Sequence, residues 1–317
     1  MLQLTGAFFR LIRWPNLVFI FLTQALFYIF IVYPMGISFK TTPVLEPRLF
    51  GLLTLSSVLI AAAGYIINDY FDLNIDRVNK PARLVVDRII KRRWTILWHW
   101  ILSGIGLLLS FYVSYKLRNP LIALCNLGCV VLLYFYSTTF KRKLLIGNII
   151  ISLLTAWVVL VLYVSEFRFR GGRGPVDAYR LALLFKYAIV YSGFAFIVSL
   201  VREVVKDIED MEGDMKYGCR TMPIVWGVNV AKVFAGTWLA VLVGALVILQ
   251  FYGLRREGIL FTLCGLLLID LPLLWILRKL YQAQTKLQYH LLSNVIKGVM
   301  LGGILTIIFV FGSYIYE

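Results

Sequence analysis

Two short acidic stretches hold the side chains of this chain best suited to chemistry. Asp69, Asp72 and Asp76 lie within NDYFDLNID, and Asp207, Asp210 and Asp214 lie within KDIEDMEGD. Both stretches read D-x-x-D-x-x-x-D. At about 100° per residue each triplet falls within a helix arc of roughly 60°, which predicts one acidic stripe on one helix face. Carboxylates this close repel, and at a membrane boundary they are poorly hydrated, so something cationic must hold them. Hard oxygen ligands suit a hard divalent cation. Mg²⁺ suits best, because it keeps several waters, takes one or two carboxylates and draws further ligands from phosphate oxygens. Asn68 adds a neutral oxygen or an amide donor. The expected metal set is Asn68, Asp72, Asp76, Asp207, Asp210 and Asp214.

Basic residues follow both stretches. Lys80 and Arg83 come after the first, Lys216 and Arg220 after the second, and Lys141 and Arg142 lie in a third polar segment. Carboxylates, Mg²⁺ and Lys/Arg together match a diphosphate, whose oxygens metals bridge while cations take the remaining charge. The expected diphosphate-binding set is Lys80, Arg83, Lys141, Lys216 and Arg220. The rest of the ligand must be apolar, because the acidic stretches border long apolar runs. A prenyl diphosphate meets both demands. Its allylic C–O bond would break towards a carbocation, which aromatic faces can stabilise. Tyr65, Tyr70, Tyr134, Tyr136, Tyr187 and Tyr191 are candidates. A lipid-like or aromatic acceptor would then attack, and a carboxylate would take its proton. Glu203 shares the second stripe, whereas Glu209 and Glu212 point away from it and read as solvated helix-end charges.

The elements that must position these residues follow from composition. Hydrophobic residues make up 61% of the chain and charged residues 15%, and several apolar runs reach the length of a bilayer crossing. This predicts an all-α polytopic membrane protein, with nine helices over 16–36, 49–70, 95–115, 120–138, 145–165, 181–202, 227–251, 258–277 and 293–315. They would form a single domain over 1–317 around a central cavity, with quasi-repeated halves of about 1–140 and 141–280 plus a ninth helix. The net charge of +16 sits in short loops between apolar runs. Lipid headgroups and topology explain it, and no nucleic-acid partner is expected. The first apolar run lacks a small-residue cleavage site and reads as a span, not a cleavable signal. Most Lys and Arg fall on one side if the N-terminus is cytoplasmic, which puts both acidic stretches on the cytoplasmic face and the C-terminus outside. Lys186, Lys232 and Lys297 lie near span ends and read as snorkelling side chains.

Smaller features complete the expectations. Gly51, Gly64 and Gly104 would allow close helix packing. The segment 166–180 reads as a solvated outer loop. Cys125 and Cys129 read as packing residues, and His99 and His290 as interface residues. Asp270, mid-span before Pro272, reads as a neutral hydrogen-bonded group. Membrane lipids are the surrounding partners.

NDYFDLNIDRVNKPAR resembles the first motif of the UbiA superfamily of intramembrane prenyltransferases, N-x-x-x-D-x-x-x-D, carried by Asn68, Asp72 and Asp76. REVVKDIEDMEGDMKYGCRTMPI resembles the second, D-x-x-x-D, carried by Asp210 and Asp214. YSTTFKRKLLIGN, with Tyr136, Lys141 and Asn148, is similar to a further segment of that family. The resemblance covers nearly the whole chain. It implies a nine-helix fold, Mg²⁺ dependence and catalytic roles for Asn68, Asp72, Asp76, Asp210 and Asp214, with Asp69 and Asp207 secondary. The second motif looks most like the geranylgeranylglycerol-phosphate geranylgeranyltransferase branch, which implies ether-lipid synthesis. Two departures stand out: Leu84 where proline is common, and Asp87 where a glycine often follows.

Three other readings fit parts of the pattern. An aromatic prenyltransferase of quinone or haem synthesis would share both motifs. A phosphate-bearing acceptor instead wants extra cations, which Arg88 and Lys91 to Arg93 would supply. An ion-coupled transporter would carry its acids near the bilayer midplane, often at broken helices. A membrane scaffold would be indifferent to loss of the aspartates.

Overall fold

The computed structural model describes residues 2–39, 43–81, 84–167, 175–256 and 259–310. Almost all are helical, because a chain this apolar must satisfy its own backbone N–H and C=O groups where water is absent. The helices are α1 (Leu2–Leu11), α2 (Trp14–Ser38), α3 (Pro47–Phe71), α4 (Leu73–Asn79), α5 (Arg92–Leu117), α6 (Pro120–Thr138), α7 (Ile146–Ser165), α8 (Pro175–Glu209), α9 (Met211–Lys216), α10 (Met222–Val225), α11 (Val228–Arg256), α12 (Ile259–Gln282) and α13 (Lys286–Val310). All but α1, α4, α9 and α10 are long and apolar enough to cross a membrane, which makes nine such helices among the described residues. The expected outer loop over 166–180 lies partly, and the C-terminal residues 311–317 wholly, outside the described residues.

Three boundaries differ from the hydropathy pattern. Helix α1 lies ahead of the first span, and Arg13, at φ 51°, turns the chain between α1 and α2. Helix α8 runs on past 202 to Glu209, carrying Glu203, Lys206 and Asp207. These charges do not end the helix because Glu203 and Lys206 pair one turn apart, at 3.1 Å. Helix α13 begins at Lys286, so Lys297 sits well inside it. Two π-helical turns, Tyr28–Val32 in α2 and Leu266–Asp270 in α12, each lie just ahead of a proline, Pro34 and Pro272. Proline cannot donate to the ladder, and the wider turn accommodates that loss.

Helix α3 packs against α5 and α6, and α8 packs against α7, α11 and α13. Of the three glycines expected at close contacts, Gly64 meets Leu133 of α6, but Gly51 and Gly104 face open space. The close approach of α3 and α5 falls at Gly106 instead, where a Cβ would meet Ile60 at 2.9 Å and Ser56 donates to the Gly106 carbonyl at 2.7 Å. His99 is not an interface residue. It is buried, with Nδ1 3.0 Å from the Ala63 carbonyl oxygen. Asp270 is buried and accepts from Gln250 at 2.5 Å.

A buried latch closes the end of the bundle opposite the turn that carries Lys141. Glu166, after α7, is 1% exposed and Arg180, in α8, is 3% exposed. They pair at 2.9 Å. Glu166 also accepts from the backbone N–H groups of Val44 and Leu45, and Tyr28 donates to the Leu45 carbonyl. The described ends of the expected solvated loop are therefore interior. Arg180→Ala leaves a buried carboxylate uncompensated, so it should lower stability by about 3–5 kcal/mol. The double substitution Glu166→Gln/Arg180→Met, which removes the buried charge but leaves one of the two backbone N–H groups without an acceptor, should recover only part of that loss in detergent thermal unfolding. An Arg180→Ala protein as stable as wild type would contradict the latch.

Candidate active site

Each acidic stretch bends at its middle aspartate. Helix α3 ends at Phe71, Asp72 takes φ −82° and ψ −2°, and α4 begins at Leu73. Helix α8 ends at Glu209, Asp210 takes φ −96° and ψ 5°, and α9 begins at Met211. The expected stripe on one straight helix is therefore corrected to two helix pieces around a bend. One ladder row survives in both bends. Asp72 donates its N–H to the Asn68 carbonyl at 2.9 Å and accepts from Asp76 at 2.8 Å. Asp210 donates to Lys206 at 2.8 Å and accepts from Asp214 at 3.2 Å. Hydrogen bonding at i to i−4 on that side keeps the aspartates on one face while the other side opens.

The two bends are clasped by Asn79. Its Nδ2 donates to the Asp210 carbonyl at 2.8 Å, and its Oδ1 accepts from the Gly213 N–H at 2.9 Å. A Cβ at Gly213 would lie 2.6 Å from the Asn79 amide, so only glycine permits this contact. Lysines complete the join. Lys80, after the first stretch, pairs with Asp210 of the second at 2.6 Å. Lys141 pairs with Asp72, which also accepts from Asn68 at 2.7 Å. Lys141 is carried by a tight turn between α6 and α7, in which Leu145 has φ 59°. Gly147 lets α7 approach that turn, since a Cβ there would lie 3.0 Å from the Lys141 Cα. Asp207 accepts from Asn148 at 2.8 Å. Asp87, where the resemblance expects glycine, has φ 66°, a left-handed conformation that glycine prefers and aspartate tolerates.

These residues border a cavity of about 700 Å³. Of the sequence-predicted set, Asn68, Asp72, Asp76, Lys80, Lys141, Asp207, Asp210 and Asp214 line it. Lys216 and Arg220 are exposed and do not. Arg220 instead ties the loops through its backbone, donating to the Arg142 carbonyl at 2.8 Å. Arg83 lies outside the described residues. Tyr65 and Tyr136 line the cavity, but the other four candidate tyrosines do not. Arg88 and Lys91 to Arg93 also lie elsewhere: Arg88 reaches the Pro81 carbonyl and Arg92 covers Tyr70. Glu209 meets His290 at 2.8 Å, away from the cavity. Much of the interior wall is apolar, with Phe19, Ile60, Leu133, Leu154, Trp157 and Met300, interspersed with Ser57, Asn126, Thr155 and Ser199. Cys129 faces it as well.

Sequence reasoning missed Asn79, Arg13, Asn16, Arg202, Lys206 and Lys297 as cavity residues. A signal existed for the last three, since ionisable groups in a membrane helix are costly and rarely idle. Asn79 gave none, because its partners lie on a distant segment.

The electrostatics suit cation binding. Burial pushes Asp76 up to about 6, and the neighbouring Asp72 charge adds to it. Burial likewise pushes Asp214 up to about 6, with Asp210 and Asp72 adding to it against the pull of Lys141. Burial depresses Lys141, but Asp72 and Asp76 outweigh it and hold the ammonium charged. Asn68 Oδ1 and Asp210 Oδ1 are buried oxygens without a hydrogen-bond partner. Among the described residues no three His, Cys, Asp or Glu side chains converge on one point, and lysines sit between the carboxylates. Such a donor set fits a hard cation that takes few protein ligands and completes its shell with ligand oxygens.

Residues 26–295 match the model of the UbiA prenyltransferase family. A digeranylgeranylglyceryl phosphate synthase of Thermococcus sibiricus is 31% identical over 52% of this chain and 52% of its own length, so the match spans about half of that relative. The enzyme of the same name from Pyrococcus abyssi is 30% identical over 75% of this chain and 76% of its own. A solved structure described as a digeranylgeranylglyceryl phosphate synthase in membranes is 27% identical, has a TM-score of 0.64 and covers 100% of both chains. A UbiA homologue from Archaeoglobus fulgidus, bound to DMAPP and Mg²⁺, shares the fold at a TM-score of 0.54 with 18% identity, covering 95% of this chain and 98% of its own.

Two outcomes follow from the geometry. Gly213→Ala should break the Asn79 clasp, and Asn79→Ala should reproduce its loss of thermal stability in detergent without an additive effect in the double variant; strict additivity would mean that the two do not act together. The folded protein takes up protons at Asp76 and Asp214 near pH 6, but the unfolded chain does so only near pH 4. Ionising them in the fold therefore costs stability as pH rises through about 6. A divalent cation that competes with those protons should raise Tm more at about pH 7 than at about pH 5. An equal rise at both values would contradict the assignment of these carboxylates.

Proposed function

The chain belongs to the UbiA prenyltransferase family, and from that membership we propose that it transfers a geranylgeranyl group from its diphosphate to the free hydroxyl of geranylgeranylglycerol phosphate. Mg²⁺ is the proposed cofactor. One observation carries this: the two aspartate stretches and their lysines face each other across a single cavity, much of whose inner wall is apolar. The names borne by the relatives and the ligands of the Archaeoglobus fulgidus homologue support it.

Asp72, Asp76, Asp210 and Asp214, with Asn68 and Asp207, would hold the metal. When bound, Mg²⁺ supplies positive charge to the diphosphate oxygens and so stabilises the leaving pyrophosphate. Lys80 and Lys141, which here neutralise Asp210 and Asp72, add charge to the same oxygens. The allylic C–O bond breaks and its electron pair leaves with pyrophosphate. The cation at C1 is stabilised by the ring faces of Tyr65 and Tyr136 and shielded from water by the apolar wall. The acceptor hydroxyl oxygen donates a lone pair to C1, forming the ether C–O bond. Its proton passes to a cavity carboxylate. The excess of Lys and Arg on the motif side supports a cytoplasmic site. Asp270, the acid in the middle of α12, lies outside the cavity, which disfavours an ion pathway through it.

Purified protein with geranylgeranyl diphosphate, geranylgeranylglycerol phosphate and Mg²⁺ should release pyrophosphate and form the diether. EDTA should abolish this. Asp72→Ala and Asp214→Ala should each lower the rate by about a hundredfold or more. Full turnover in EDTA would overturn the metal assignment.

A further inference from the structure

The cavity is electrically two-ended. Around the motif bends, Asp72, Asp76, Asp207, Asp210 and Asp214 are met by Lys80 and Lys141 among the described lining residues. On the side built by α1, the start of α2, α8 and α13 the balance reverses. There Arg10, Arg13, Arg202 and Lys297 are met by Asp69 and Glu203. Arg13 pairs with Asp69 at 2.6 Å, and Glu203 is shared between Arg202 and Lys206, each at 3.1 Å. Arg202 Nε remains buried without a partner. Lys297 donates to the neutral Asn16 Oδ1 at 2.7 Å and lies over the Phe19 ring at 5.1 Å. Arg202 and Arg13, both cations, are close enough to act on it. Lys206 feels Arg202, Lys80 and Arg13 in the same way, against Glu203 and the adjacent Asp207.

Repelling cations inside an apolar bundle are costly unless something anionic joins them. The metal-bound diphosphate belongs to the acidic end. An anion at the basic end is therefore a second one, and several convergent Lys and Arg donors suit a phosphate monoester. We propose that Arg13, Arg202 and Lys297 form a subsite for the phosphate of the acceptor, a specificity device separate from the diphosphate site. The proposal rests on the acceptor being a prenylated glycerol phosphate. It would hold the acceptor with its phosphate at the basic end, its glycerol hydroxyl towards the diphosphate and its prenyl chain along the apolar wall. Lys206 lies between the two ends, one turn from Asp210 and bonded to Glu203.

Steady-state kinetics with geranylgeranyl diphosphate test this, using geranylgeranylglycerol phosphate and its phosphate-free alcohol as acceptors. Wild type should favour the phosphorylated acceptor. Lys297→Gln and Arg202→Gln should each raise its KM by about tenfold, the loss of one charge-assisted contact. KM for the diphosphate should change by less than about twofold, and preference over the phosphate-free alcohol should shrink with the acceptor KM. Lys297→Arg, which keeps the charge, should stay near wild type. In wild type, glycerol phosphate should compete with the acceptor and not with the diphosphate, which tests the subsite even if a variant fails to fold. Competition with the diphosphate, or unchanged acceptor KM in both Gln variants, overturns the subsite while leaving the transferase reading intact. Wild-type turnover with other acceptors and none with either glycerol compound overturns both.

Discussion

The structure depends on how it keeps carboxylates charged at the edge of an apolar bundle. Six aspartates and Glu203 border one cavity, and several are buried. Without cations their mutual repulsion and poor solvation would drive them to protonate or to turn away. Lys80 and Lys141 prevent this from across the sequence. Lys80 follows the first stretch and pairs with the second, so that ion pair also fixes the two motif regions together, while Lys141 ties the first stretch to the turn between α6 and α7. A lysine in that position has a compact, mobile charge, and a stronger cation can displace it.

Local backbone geometry serves the same end. Both motif helices bend at the middle aspartate and retain one row of hydrogen bonds through the bend. A straight helix would carry the last aspartate of each triplet onwards along the bundle axis. The bend instead turns α4 and α9 across the mouth, where Asn79 meets Gly213. The far end of the bundle is held by the Glu166 and Arg180 latch. Most of the cavity's carboxylates lie at the bends, and most of its other cations lie on α1, at the start of α2, and on α8 and α13.

Much of this was legible in the sequence. The repeated aspartate spacing singled out residues that do line one cavity, and apolar runs located nine long helices among the described residues. What was not legible has physical reasons. The bends at Asp72 and Asp210 leave the i to i−4 spacing intact, so periodicity cannot reveal them. Helix α8 continues through Glu203, Lys206 and Asp207 because those charges find partners, whereas hydropathy counts them as a helix end. Lys297 in an apolar helix reads equally as snorkelling or as inward-facing, because the choice depends on rotation about the helix axis. Arg88 and Lys91 to Arg93 show the converse. They form the densest basic run, yet they lie away from the cavity. Asp87 is a clearer case: its departure from glycine needs no other explanation than a left-handed φ.

A divalent ion and a diphosphate would displace Lys80 and Lys141 and join the two motifs at one point. Electron–nuclear double resonance with Mn²⁺ in place of Mg²⁺, in the presence of a slowly reacting geranylgeranyl thiolodiphosphate, examines that point directly. Protein-bound Mn²⁺ should show coupling to ³¹P, lost when either Asp72 or Asp210 is replaced by alanine. Bound Mn²⁺ that shows no ³¹P coupling, or coupling that survives both substitutions, would contradict it.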